Sequence, residues 1–361
     1  MARKQFLALS KQILRHTLDE TPAFIFYPVQ GSLEPKPDYK EEPTKEWRGA
    51  DTAQGDVTDD RTSTSWSYPL EARIYPCAEL VELVTFLMGV APTPAGLSAP
   101  NAAANRYIFS TITEIYGEGA SLEDQALAFI PNTAKGSTTY SQSFLGGRPF
   151  DAELAFKGGE AAMLKMNFKG GPWIGAPEQT ETAGMSFTAL KAFRSVPKLY
   201  IGTGATLTGT APDYTDFVPG TMKAAKPDDL TIKMEQGSDD VFKMNGYDGP
   251  SETERNGQWK ITIEGTFDFS DPSTGWSSYD AWVARFTGAQ YAPVMITLDG
   301  PEVLPSCESQ KGHLALYLPK MKLMNEPVDR KNDGSKDKVK FTLESRVDTA
   351  VNVCAFLKLI L

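Results

Sequence analysis

The sequence predicts a mainly β protein, a β-sandwich or barrel with short flanking helices, on three observations. Strict apolar and polar alternation runs through Trp66 to Ile74, Leu164 to Phe168, Trp259 to Phe269 and Val339 to Glu344, the period of a strand with one dry and one wet face. Glycine pairs and prolines punctuate these runs at turn spacing. A strand followed by a short apolar helix also occurs twice. Ser65 to Ile74 leads into Cys77 to Met88 and stops at Gly89, and Trp259 to Phe269 leads into Ser278 to Phe286 and stops at Gly288. Each copy is answered later by one further alternating strand, so the chain reads as a divergent duplication.

Taken in order, Phe6, Leu9, Ile13, Leu14 and Leu18 stand near helical spacing, and residues 1–27 are expected to form a short helix or docking arm. Residues 28–180 form the first unit. They open on a long acidic loop over 28–60, where Pro35, Pro37 and Pro43 lie among Glu34, Glu41, Glu42, Glu46, Asp51, Asp56, Asp59 and Asp60. The stretch 91–144 reads as an insertion, with a proline-rich connector, strands over Tyr107 to Ile112 and Ala126 to Ile130, and a Ser/Thr-rich loop from Thr133 to Ser143. Phe150 to Phe156, Gly158-Gly159 and Ala162 to Phe168 carry a hairpin signature.

The second unit, 181–361, opens with Lys198 to Ile201 and a Gly/Thr hairpin over Gly202 to Thr210. A loop from Pro212 to Pro227 follows, then Leu230 to Met234, an Asn245-Gly246 turn and strands over Pro293 to Leu298 and Leu314 to Leu318. The apolar end, Val351 to Leu361, is expected to be buried, with a docked terminus.

With 361 residues the chain is long enough for about two domains with cores of their own. Its net charge of −10 argues against a tight grip on nucleic acid, which needs clustered Lys and Arg to displace counterions. No apolar run approaches the ~18 residues of a membrane span, and the N-terminal apolar stretch is too short for a signal-peptide core. The three cysteines, Cys77, Cys307 and Cys354, are widely spaced and read as free thiols, which with the absence of an N-x-S/T sequon points to a cytoplasmic site of synthesis.

Catalytic signatures are weak throughout. Two histidines, His16 and His313, leave little room for His-based chemistry or a multi-His metal site. Gly202-Thr203-Gly204 lacks the third glycine of a phosphate loop and reads as a turn. The run Asp329 to Gly334 has Lys331 and Lys340 where a calcium loop needs oxygen ligands. Glu235, Asp239 and Asp240 read as carboxylates of an exposed turn. No enzyme activity, cofactor or metal is expected.

The acidic loop with Glu41-Glu42 and Arg48-Gly49, the strand Trp66 to Ile74, Pro76 and the short helix ending Leu87-Met88-Gly89 together resemble the first tube domain of tail tube (major tail) proteins of long-tailed bacteriophages. The second half, with Trp259, its glycine-interrupted strand, a short helix and a last strand after Lys338, is similar to a second such domain. The resemblance implies β-sandwiches whose inner strands pool into a ring-wide barrel, three copies of a two-domain chain making a pseudo-sixfold ring. It further implies stacked rings in a virion tail assembled in the host cytoplasm, an electronegative lumen that passes double-stranded DNA without specific contacts, and tape measure, tail terminator and distal tail proteins as partners. On that resemblance Glu41, Glu42, Arg48, Asp51, Asp59, Asp60 and Arg61 would contact the next ring, and Glu71, Glu264, Thr266 and Asp268 would face the lumen. A reading from another class is a two-domain carbohydrate-binding or adhesion module with Trp173, Trp276 and Tyr279 as a sugar platform.

Overall fold

A computed structural model describes residues 4–12, 25–26, 29–31, 35–43, 59–89, 92–111, 126–135, 138–171, 173–175, 191–211, 213–241, 252–269, 275–280, 283, 291–323, 328–329, 337–348 and 353–361. The protein is mainly β and of β-sandwich class. Its first half holds β1 (Lys4–Gln12), β2 (Ile25–Phe26), β3 (Val29–Gln30), β4 (Lys36–Pro43), β5 (Asp59–Arg73), α1 (Ala78–Met88), β6 (Ala95–Gly96), β7 (Asn105–Ser110), β8 (Ala126–Lys135), β9 (Thr138–Lys157), β10 (Met163–Gly170) and β11 (Trp173–Gly175). The second half holds β12 (Lys198–Ile201), β13 (Thr206–Thr210), β14 (Asp213–Val218), β15 (Lys223–Ala225), β16 (Pro227–Val241), β17 (Glu252–Asp268), β18 (Tyr291–Val303), β19 (Lys311–Leu323), β20 (Val328–Asp329), β21 (Lys338–Ser345) and β22 (Phe356–Ile360). Helical backbone also occurs at 278–280, at the start of the second expected helix.

One antiparallel wall runs through both halves in the order β4, β5, β10, β9, β16, β17, β21, with β20 and the end of β19 on its far side. Each strand alternates as its sequence does. Trp66, Tyr68, Leu70 and Ala72 of β5 are buried, while Ser67 and Pro69 between them and Arg73 after them are exposed. A second layer covers the dry face, as β1–β8–β9–β11 in the first half and β12–β18–β19–β22 in the second. β9 belongs to both layers and passes between them near Gly146, whose φ of 68° only glycine adopts readily.

The pairing pattern repeats element by element. β1, β4, β5, β8, β10 and β11 have the neighbours that β12, β16, β17, β18, β21 and β22 have, with β19 and β20 standing for β9. Register agrees with topology: Ile74 N–H donates to Ala162 O at 3.0 Å, and Phe269 N–H donates to Asp337 O at 2.8 Å at the matching place. Phe341, opposite Gly265, is therefore the counterpart of Met166, opposite Leu70.

Several expectations are corrected. The stretch after Lys4 is a strand over Lys4–Gln12, because Leu7 and Leu9 are buried against the apolar run of β8 and that pairing overrides a loose helical spacing; residues 13–18 lie outside the described set. The acidic segment 28–60 contains β3, β4 and the start of β5, held by the ladder between Lys36–Pro43 and Asp59–Ser67. Within 91–144, β8 and β9 continue through the Ser/Thr-rich stretch, whose β-branched residues suit strands. The loop expected over Pro212 to Pro227 contains β14 and β15, and Asp239 and Asp240 belong to β16 and not to a turn, since Asp240 pairs with Thr253. Asn245-Gly246 lies outside the described residues.

Part of the 91–144 stretch crosses to the other half. β7 pairs with β22, and Asn105 and Leu361 exchange main-chain hydrogen bonds, so the C-terminus is docked. α1 is apolar around most of its circumference, with Leu80, Leu83, Phe86, Leu87 and Met88 buried. It ends at Gly89 (φ 78°), whose N–H donates to Thr85 O.

Candidate functional site: the wet face of the shared wall

The polar residues between the core positions of the wall form one surface across six strands. One row runs Glu71, Lys165, Glu153 and Lys233 through directly opposed pairs on β5, β10, β9 and β16. Lys165 Nζ lies 3.6 Å from Glu71 and 3.8 Å from Glu153, and Lys233 Nζ reaches Glu264 of β17 at 3.3 Å. Opposed unlike charges at cross-strand spacing attract modestly, and here they do so across the seam between the halves.

Towards β21 the pattern continues. Lys338 Nζ lies 2.5 Å from Asp228 and 2.6 Å from Asp268, and these hydrogen bonds push the ammonium up to about 12. Arg346 grips Glu344 in a bidentate pair, at 2.9 and 3.1 Å, which holds that carboxyl below its usual range. Asp151 departs the other way. Burial raises its carboxyl, and neighbouring Glu235 and Glu153 add to that against the 2.7 Å hydrogen bond from Asn167. These groups rim a shallow hollow of about 260 Å³ with Glu71, Lys165 and Lys233.

The four residues expected to face a lumen, Glu71, Glu264, Thr266 and Asp268, all lie on this face, on β5 and β17. Their neighbourhood is of mixed charge, with Arg73, Lys165, Lys233, Lys260, Lys338 and Lys340 interleaved. The residues expected at a ring contact divide. Glu41 and Glu42 are opposite Arg61 and Asp60, and Asp59 opposite Pro43, in the β4–β5 hairpin at the margin of the wall; Arg48 and Asp51 lie outside the described residues. The aromatic residues weighed as a sugar platform stand on separate elements. Trp276 packs on Phe267 and Phe341, each at 5.1 Å, Tyr279 on Phe269, and Trp173 belongs to β11.

Two features escaped the sequence reading. Lys358 on β22 is buried, with Nζ bonded to Asp216 and Phe217 O, while Arg106 of β7 takes the other Asp216 oxygen at 2.7 Å; this cluster pins the β13–β14 hairpin to the second layer. A lysine within the apolar Phe356–Ile360 run was the available signal. A cavity of about 550 Å³ in the second half is lined by Ile201, Val294, Met321 and Leu343. The matching place in the first half is filled by Leu9, Phe129, Phe168 and the Trp66 indole. Substitution of aliphatic for aromatic side chains at equivalent positions accounts for the space.

Among the described residues no group of three or more His, Cys, Asp or Glu is arranged to hold a metal ion, and no helix is long and apolar enough to cross a membrane. No family model matches the chain, and no curated protein matches it.

Proposed function

We propose that the chain is a non-catalytic structural subunit of a bacteriophage tail tube, with two tube domains in tandem, about 28–180 and 181–361. Three copies would make a pseudo-sixfold ring, and stacked rings would form the channel through which double-stranded DNA leaves the virion. The observation that carries this reading is the uninterrupted wall: the β9–β16 ladder joins the first half to the second from Asp229 opposite Lys157 to Glu235 opposite Asp151. A repeated unit that joins its own copy edge to edge within one chain has the geometry to join further copies between chains, and closure into a ring removes the free edges.

The wet face then lines the lumen. Lys165, Lys233 and Lys338 each lie beside a carboxylate, which offsets their pull on passing phosphates, so the duplex slides without being held. Tape measure, tail terminator and distal tail proteins are the partners this role requires, with the virion tail as its location and the host cytoplasm as the place of assembly. Negative-stain electron microscopy of the purified full chain at rising concentration tests the reading. Rings or tubes with a central channel are expected, and dispersed single subunits at every concentration, including with tail extract added, would end it.

A further inference from the structure

The two halves fill the same place between their layers with different residues, and the ladders fix which residue answers which. Leu9 stands opposite Phe129, as Ile201 stands opposite Val294. The neighbouring strand pair carries the same irregularity in both halves: Leu127 and Phe129 face Gly147 and Phe144, and Ala292 and Val294 face Met321 and Leu318. Tyr68 faces Phe168 where Ile263 faces Leu343. Trp66 faces Gly170, and at the matching place the Ile261 N–H donates to Ser345 Oγ. The rings of Trp66, Tyr68, Phe129, Phe144 and Phe168 therefore have Ile261, Ile263, Val294, Leu318 and Leu343 as counterparts.

In the first half these rings pack on one another, with Phe129 centred 5.3 Å from Trp66, 5.4 Å from Tyr68 and 4.8 Å from Phe168. In the second half Met321 and Ser345, in place of glycines, return only part of the lost volume, and the cavity of about 550 Å³ remains. A void of that size is no ordinary packing defect, since interiors hold few gaps larger than a water molecule. It falls within the range of small-molecule sites, roughly 300–1,000 Å³. Its depth is apolar, with Ile201, Val294, Met321 and Leu343 buried and the Trp276 indole beside them. Thr203, Thr221, Lys223 and Asp280 also line it and are exposed, so the cavity reaches the surface on a polar side that carries both charges.

We propose that this cavity is a binding site for a small planar aromatic compound of the indole class, which takes up the volume that side-chain rings occupy in the first half and leaves its polar edge among Thr203, Lys223 and Asp280. A flat ring offers apolar faces to Val294 and Leu343 and a quadrupole to the Trp276 indole. A sugar does not suit the place. Its hydroxyls would lose water against aliphatic walls that return no hydrogen bonds.

Indole titrated into the full chain tests the site, with calorimetry and melting temperature as readouts. Saturable binding at one site per chain and a raised melting temperature are expected, because a ligand of the folded state stabilises it by mass action; glucose should produce neither. Val294→Phe, which returns the first-half ring, should raise the melting temperature without ligand and abolish indole binding. Absence of indole binding to the unaltered chain would overturn the proposal, as would indole binding that survives in Val294→Phe or glucose bound in preference to indole. Should the larger ring prevent folding by overpacking, Ala292→Leu takes its place, since Ala292 is the half-buried counterpart of Leu127 at the margin of the cavity. Indole binding must then weaken, and unchanged binding would overturn the site.

Discussion

Lys358 Nζ lies 2.9 Å from Asp216 Oδ1, with the lysine 4% exposed and the aspartate 31% exposed. This ion pair joins the last strand to an outer hairpin, and it makes Asp216→Ala a sharp test. The substitution leaves a buried ammonium without its counter-charge, and a loss of about 2–3 kcal/mol in denaturant unfolding is expected, at the lower end for a buried pair because Asp216 is partly solvated. Lys358→Met, which keeps the stem and removes the charge, should cost less.

The same pair sets an acid limit. Burial alone would raise the Asp216 carboxyl, but the Lys358 hydrogen bond and charge, the Phe217 N–H and Arg106 more than offset it and hold it below the usual range. Its stabilising contribution is therefore complete above about pH 4, the unfolded value, and is lost as pH falls through the lower folded value. Asp216→Asn should flatten this part of the acid unfolding curve, and a curve of unchanged shape would refute the assignment.

Gly147 and Gly170 make room for Trp66, whose indole N–H donates to Leu145 O at 2.8 Å. A Cβ at Gly147 would stand 2.7 Å from Leu127 O and from the Trp66 ring, and one at Gly170 2.6 Å from that ring. Gly147→Ala is expected to cost about 2–3 kcal/mol by overpacking. The equivalent trio in the second half is Ile261, Met321 and Ser345, with Ile261 opposite Ser345 and Ser345 opposite Met321. The combined variant Trp66→Ile, Gly147→Met, Gly170→Ser should be more stable than Gly147→Met by itself, as measured by melting temperature.

On the wet face, Lys165→Glu would set three carboxylates in one row with Glu71 and Glu153. About 1 kcal/mol of destabilisation is expected, recovered in part by raised salt, since the charges are half exposed. A loss insensitive to salt would mean that packing of the lysine stem matters and not its charge.

Burial pushes the thiols of Cys77 and Cys354 up, with the Glu79 charge adding to the effect at Cys77. Of the three free thiols, Cys307 is expected to react first with a disulfide reagent in the native state, Cys77 more slowly because its thiol is held protonated, and buried Cys354 at the rate of local opening. Mass mapping of the first modified peptide checks this.

The strands around Trp66, Leu164, Trp259 and Val339 were legible because each has one wet face and one dry face, which writes a period of two into the residues themselves. The wet-face positions Glu71, Glu264, Thr266 and Asp268 followed from that period. The charge balance around them did not, because Lys165 and Lys233 meet Glu71, Glu153 and Glu264 only through cross-strand register. The first strand was misread because Phe6 to Leu18 contains apolar residues that fit either period, and the choice is made by β8, more than a hundred residues away.

From residues alone this chain was a β protein with a repeated unit, since alternation and turn chemistry are local and survive without any knowledge of partners. Tertiary structure decided how the two units join and where Lys358 finds its counter-charge. Those outcomes depend on main-chain hydrogen bonds between distant strands, and a main-chain bond carries almost no imprint of the side chains on either side of it, except where a proline withholds a donor.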